Sequence, residues 1–448
     1  MRPTVRDPRQ ILESISATYS RPEAQRWATL VLLVAAAILF VGSVQHNRDM
    51  TGYLLVGRLV LAGRHAYLDA GAGVNTWPPF FSLLCVPLAL LDEASRLLSR
   101  GTWLLLNFAS LVWVLRIVAR RVYGRELVLD PRSPGLALAA PEMLVPLLLT
   151  GRYLVSNFDH LQINLIVFAL ALGGLDLDAR GRPLAGGLAL GLASAIKLMP
   201  IAFVPYLMWA RRWTAAAAAT AATIILSLLP VPVFGLRRFL DYGRAWLDAL
   251  GEGWGVGHMN QSIFAMWDRW LGHGMMPFTA EKANGVPESG DPLVTFATAV
   301  TVAALVAAAL WATRRRPAAG GWPELAEWSL VFIVSAILGP VSRKSYLVVL
   351  LLPNVLLFAA WRSPPLDDRT RQIAGASLVA SFLLGGLTSP GLVGRRLAGT
   401  LAMTSVVTIA TLVLYAGVTL LRARLVDTDP RPRYSRSNTS FPPRPGVV

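Results

Sequence analysis

The chain has 448 residues, of which 54% are hydrophobic and only 15% charged, and its mean hydropathy is +0.51. A soluble protein of this length needs far more charge to cover its surface, so the composition predicts an all-α polytopic membrane protein with the lipid bilayer as solvent. The net charge of +16 does not point to a nucleic-acid partner, because apolar runs break the arginines into short clusters where a binding groove needs one continuous face. Cys85 is the only cysteine, which excludes an internal disulfide and a multi-cysteine metal site.

In chain order, residues 1–27 are polar and Arg-bearing and are expected to be cytoplasmic. The apolar run at about 28–44 lacks a small-residue cleavage site and reads as a retained signal anchor. It leads to a long outer segment, 45–100. Within that segment Pro78–Leu91, at ~14 residues, is too short to span and is expected to be interfacial or re-entrant. Spans follow at about 101–118, 136–150 and 161–175. Residues 183–210 could form one long helix or two short ones meeting at Lys197–Pro200. The proline and the placement of Arg211-Arg212 favour the broken form. Further spans are expected at 213–234, 293–313, 323–339, 347–361, 372–388 and 397–421, about 12 in all within a membrane domain covering 28–421. A second long outer loop covers 235–292, and the tail 422–448 is expected to be disordered and cytoplasmic.

With this topology, Arg120-Arg121, Arg211-Arg212 and Arg314-Arg315-Arg316 fall inside, as the positive-inside rule requires. All five histidines and the lysines Lys197, Lys282 and Lys344 fall outside. The candidate chemistry therefore gathers on the non-cytoplasmic side. Asp49 follows the first span. A carboxylate at a membrane–water boundary can act as a general base, or can be a solvated helix-end acid. His160, Gln162 and Asn164 lie where an outer loop enters a span, so the two amides face either the protein interior or a substrate. Lys197, amid apolar sequence, could receive an anionic phosphate at a helix break or snorkel to the interface. Asn260, Gln261 and Ser262 are hydrogen-bonders suited to sugar hydroxyls, or parts of a solvated loop. Arg343 and Lys344 are adjacent cations suited to a phosphate or to lipid headgroups.

The ordered set Asp49, Gly63-x3-Tyr67, Trp77-Pro78-Pro79-Phe80, Gln162-x-Asn164, Ile196-Lys197-Leu198-x-Pro200 and Asn260-Gln261-Ser262 resembles glycosyltransferase family 87 over roughly residues 30–360. Leu161 stands where that family tends to have glycine, and Tyr346 where it tends to have histidine. The resemblance implies a GT-C-like bundle whose long first outer loop carries interfacial helices. It also implies a bacterial-type plasma-membrane enzyme acting on the extracytoplasmic face. The reaction would be inverting transfer of a hexose, mannose in the characterised members, from a polyprenyl-phosphate sugar donor to a glycolipid or glycan acceptor. Asp49 matches the base, while Lys197, Arg343 and Lys344 are candidates for the donor phosphate, and His160, Gln162, Asn164, Asn260, Gln261 and Ser262 for the remaining substrate contacts. No cofactor is expected, and a divalent metal assembled by folding stays open. The alternatives are a lipid-linked-sugar transporter or flippase and a non-catalytic relative. A transporter should show inverted repeats and mid-span ionisable residues. No repeat is visible, and apart from Lys197 no clear mid-span charge is expected.

Overall fold

A computed structural model of the chain describes residues 21–71, 73–252, 255–274, 286–314 and 320–425. The expected N-terminal segment 1–20 and the tail from 426 lie outside the described residues. The first helix, α1 (Pro22–Val44), begins with proline at its first turn, where a missing N–H costs nothing. The outer segment then folds as two packed helices, α2 (Met50–Leu61) and α3 (Pro79–Ala94). They approach so closely that a Cβ on Gly57 would collide with the Cys85 backbone. A corner at Ser95, the N-cap of α4 (Arg96–Tyr123), turns the chain into the bundle. Asp92 sits in that corner. Partial burial would raise its pKa, but hydrogen bonds from Ser99 and Arg100 win and hold the carboxyl below its ordinary value.

After α4 comes a parallel two-strand pair, β1 (Leu127–Val128) with β2 (Leu136–Ala137). This corrects the expected span 136–150. Its first residues are strand, and α5 runs Pro141–Asp159. Hydropathy alone merged an apolar strand with the helix behind it. Next come α6 (Asn164–Ala179) and α7 (Pro183–Ile196). A 3-10 turn, Met199–Ala202, and α8 (Phe203–Trp209) complete the break foreseen at Lys197–Pro200. The following helix α9 (Trp213–Leu228) lies so close to α7 that a Cβ on Gly187 or Gly191 would strike the backbone of Ala215 or Ala219. Small residues thus set this helix spacing, as in other membrane bundles.

A short helix, α10 (Pro230–Phe234), completes the segment begun by α9, and the second outer loop opens with the amphipathic α11 (Leu236–Glu252). Leu236, Leu240 and Leu247 are exposed on α11, the pattern of a helix lying in a membrane interface. Its other side holds the first loop, with Trp246 Nε1 donating to the Thr76 carbonyl and Tyr242 OH to that of Arg64. The chain continues through α12 (Ile263–Trp267), α13 (Pro292–Ala312) and α14 (Trp322–Leu338). A 3-10 turn (Lys344–Leu350) runs into α15 (Leu351–Trp361), and α16 (Asp368–Ser381) follows. The expected single span 397–421 is two helices beyond the short α17 (Pro390–Val393). They are α18 (Arg395–Met403) and α19 (Val406–Arg424), parted where Ser405 adopts a left-handed φ of 63°. Because α19 continues to Arg424, Arg422 and Arg424 belong to the bundle and not to the tail.

Among the described residues, six segments are long and apolar enough to cross a membrane: α1, α4, α9 with α10, α13, Lys344–Trp361 and α19. Shorter or broken helices (α5, α6, α7, Met199–Trp209, α14 and α16) run between the same two ends. This is an all-α, multi-pass membrane protein. At one end Arg120, Arg121 and Arg180 surround Asp176, Arg212 joins Asp178 to Glu324, and Arg422 pairs with the buried Glu327. These acids and arginines lie near helix ends, so they are buried charges that the sequence reading did not single out, gathered at one end of the bundle and not in the middle of spans. Opposite charges meet across helices there, which apolar periodicity does not report. The candidate site lies at the other end.

Candidate active site

Asp49 is the residue before α2, yet its carboxylate caps no backbone N–H of that helix. Arg96 and Arg100 explain why it can face elsewhere. They donate to the carbonyls of Gln45 and His46 and to Asn47 Oδ1, clamping the turn that precedes Asp49. The same turn forces Arg48 to a left-handed φ of 32°, strain of the kind that collects at functional sites. The Asp49 carboxylate accepts a hydrogen bond from Gln162 Nε2 and pairs with Arg343 Nη1 at 3.2 Å. One acid thus joins segments nearly three hundred residues apart.

From Gln162 the polar chain continues inward. Asn164 Nδ2 donates to Gln162 Oε1 at 3.1 Å, and Lys197 Nζ donates to Asn164 Oδ1 at 2.5 Å. The lysine is only 8% exposed and ends α7 in an extended conformation, because Pro200 prevents the helix from continuing. Its ammonium lies 3.2 Å from the centre of the Tyr346 ring, a cation–π contact that partly replaces lost water. The loop that presents Gln162 has Leu161 at φ 54°, with its carbonyl held by Trp103 Nε1 at 2.7 Å. Glycine adopts such a backbone without strain, and here a buried leucine adopts it.

Two cavities meet along this chain. One, about 310 Å³, is the more polar of the two and is lined by Arg48, Asp49, Gln162, Arg343, Thr76 and Trp77. The other, about 290 Å³, is largely apolar. Lys197 and Tyr346 stand at its polar end and Leu198, Ile201, Trp246, Leu250 and Leu338 along its length. Thr76, Trp77 and Tyr346 border both. Among the described residues no group of three or more His, Cys, Asp or Glu side chains is placed to hold a metal ion.

Five sequence candidates therefore converge: Asp49, Gln162, Asn164, Lys197 and Arg343. The others do not join them. His160 closes α5, with Nδ1 at the Ser156 carbonyl and beside Asp159, and lines neither cavity. Asn260, Gln261 and Ser262 are buried, and their polar atoms hold backbone. Asn260 Nδ2 and Ser262 Oγ donate to the Pro340 carbonyl, and Asn260 Oδ1 accepts from Ser342 N. Gln261 donates through its backbone N to the Ser342 carbonyl and through Nε2 to that of Ala402. Lys344 leaves the chain on a different side from Arg343 and lines neither cavity. Sequence reading missed Arg48, Arg96 and Arg100. Arg48 is the one arginine beside Asn47 and Asp49 in sequence; Arg96 and Arg100 lie about fifty residues on and reach that turn only through the fold.

The site of this multi-pass membrane protein thus combines one carboxylate, the cations Arg48, Lys197 and Arg343, and an adjoining apolar groove. The chain belongs to glycosyltransferase family 87, whose sequence profile matches residues 75–340. That match takes in Gln162, Asn164, Lys197 and Asn260–Ser262, whereas Asp49 and Arg343 lie outside it. The chain is 29% identical over 240 residues to the polyprenol-phosphate-mannose-dependent alpha-(1-2)-phosphatidylinositol mannoside mannosyltransferase of Mycolicibacterium smegmatis, covering 50% of this chain and 51% of that one. It is 28% identical over 323 residues to the corresponding phosphatidylinositol pentamannoside mannosyltransferase of the same organism, 69% and 66% of the two chains. The chain thus spans about half the length of the first of these relatives. Among solved structures, ArnT from Cupriavidus metallidurans bound to undecaprenyl phosphate superposes with a TM-score of 0.41 at 16% identity, over 89% of this chain and 76% of that chain.

Proposed function

We propose that the chain is a hexosyltransferase that moves mannose from a polyprenyl-phosphate donor to a glycolipid acceptor. The observation that carries this reading is the unbroken polar chain from Asp49 through Gln162 and Asn164 to Lys197, set between a polar chamber and an apolar groove. The groove suits a polyprenyl tail, and Lys197 and Arg343 suit its phosphate. Trp77 and Tyr346 offer ring faces at the junction, where a sugar would lie. The relatives' names support the donor, and their phosphatidylinositol mannoside acceptors support an anionic glycolipid in the polar chamber.

The reaction is a single inverting displacement. Asp49 takes the proton of an acceptor hydroxyl while that oxygen bonds to the anomeric carbon. The bond from that carbon to the phosphate oxygen breaks, and its electron pair leaves with polyprenyl phosphate. Lys197 and Arg343 stabilise the charge that develops there. Gln162 orients the Asp49 carboxylate, and Asn164 orients the ammonium of Lys197. Asn260, Gln261 and Ser262 act as positioning residues for the segment that carries Arg343, and His160 stays with the wall of the outer loop. The arginine-rich end far from the site supports a cytoplasmic location for that end. The site then faces the extracytoplasmic side of a bacterial-type plasma membrane.

The test is transfer of label from polyprenyl-phosphate mannose to membrane glycolipid by purified protein. Transfer by the wild type and its loss in Asp49→Asn are expected. Binding of donor without transfer by the wild type, or full transfer by the variant, would contradict the reading.

A further inference from the structure

Arg152 and Lys344 form a second cationic cluster that the transfer reaction does not use. Arg152 projects from α5 towards the turn that follows the end of α16. Its Nη1 donates to Thr388 Oγ1 at 2.7 Å and to the Gly385 carbonyl. The opposite edge of the guanidinium, Nε and Nη2, is buried and has no hydrogen-bond partner. Lys344 opens the 3-10 turn that packs against α5, the helix that carries Arg152. Among the described residues no carboxylate pairs with either one.

Two like charges in a low-dielectric setting without a counter-charge lose hydration and gain no compensating attraction. An ordinary stabilising contact does not explain them. The unpaired edge of Arg152 presents two parallel N–H groups, the fork that matches two oxygens of a phosphate. The surroundings indicate what carries that phosphate. Leu148 and Val155 share the helical stripe of Arg152 and are exposed, as are Leu383 and Leu387 beside Thr388. In a membrane that surface faces acyl chains.

We infer that Arg152, Lys344 and Thr388 form a site for the phosphate of an anionic membrane lipid, at the lipid-facing edge between α5 and the end of α16. Lys344 directly follows Arg343, so a lipid held there also steadies the backbone from which Arg343 reaches Asp49.

The probe is phosphatidylglycerol added to the full-length protein in dodecyl maltoside, which carries no phosphate, with thermal unfolding as the readout. A ligand that binds only the folded state raises the midpoint. The wild type should show such a rise. Arg152→Gln and Lys344→Gln should each lose it, and Lys344→Arg should keep it. Inorganic phosphate at equal concentration should give no rise. If it reproduces the whole effect, the anion site stands but its occupant is soluble phosphate. No rise in the wild type, or an undiminished rise in both glutamine variants, would overturn the inference. The wild-type arm does not depend on any variant folding.

Discussion

The chemistry rests on a few side chains whose positions the backbone dictates. Lys197 is buried between an amide oxygen and an aromatic face, which leaves its remaining donor capacity for an anion. Lys197→Met should raise KM for the polyprenyl-phosphate donor roughly thirtyfold, the equivalent of losing about 2 kcal/mol from a charge-assisted hydrogen bond. The acceptor KM should change little. Asp49→Asn should instead lower kcat, by about 10²–10⁴ as for loss of a general base, with donor binding kept. Steady-state kinetics with each substrate varied separates the two outcomes. At this scale the sequence was largely legible for Asp49, Gln162, Asn164 and Lys197, because polar groups entering apolar spans must find partners. It was not legible that Arg343 and Lys344 diverge. Their directions depend on an extended backbone at Arg343 turning into a 3-10 turn at Lys344, and adjacency in sequence hides that.

At the scale of elements, short breaks in helices do the positioning. Asn260 and Ser262 fasten the Pro340–Ser342 segment beneath Arg343, so Asn260→Ala should cost about 1–3 kcal/mol as buried backbone groups lose partners. The same variant should weaken transfer through misplacement of Arg343, and Arg343→Lys in that background should add little further loss. Thermal unfolding and transfer assays read the two effects. The break between α18 and α19 works similarly, because Ser405 Oγ accepts twice from the buried Arg269. Residue types alone could not assign Asn260, Gln261 and Ser262, since hydrogen-bonders that hold backbone and those that hold sugar look identical. The proline at the Lys197 break was readable because it forbids a continuous helix. The Ser405 break was not, because no residue type forces it.

For the molecule as a whole, the ion pairs gather at one end and the two cavities at the other. Along α6, Asn164 and Asp176 stand ~18 Å apart at 1.5 Å per residue, less than the ~30 Å hydrocarbon core. The polar groups at the two ends of α6 are therefore too close together for both to lie outside the hydrocarbon core, which on the proposed reading keeps the site within reach of a lipid phosphate. Glu327→Leu deprives buried Arg422 of its carboxylate and should cost about 3–5 kcal/mol, lowering the unfolding midpoint while donor KM holds. Alternation of spans was visible in hydropathy and arginine clusters. The pairing of those arginines with Asp176, Asp178, Glu324 and Glu327 was not, because the partners lie on different helices, far apart in sequence.

The most direct measurement is an experimental density map of the protein with polyprenyl-phosphate mannose bound. The phosphate should lie between Lys197 and Arg343, the chain along Leu198 and Ile201, and the anomeric carbon towards Asp49. A phosphate found elsewhere, with Asp49 remote from the sugar, would contradict the account.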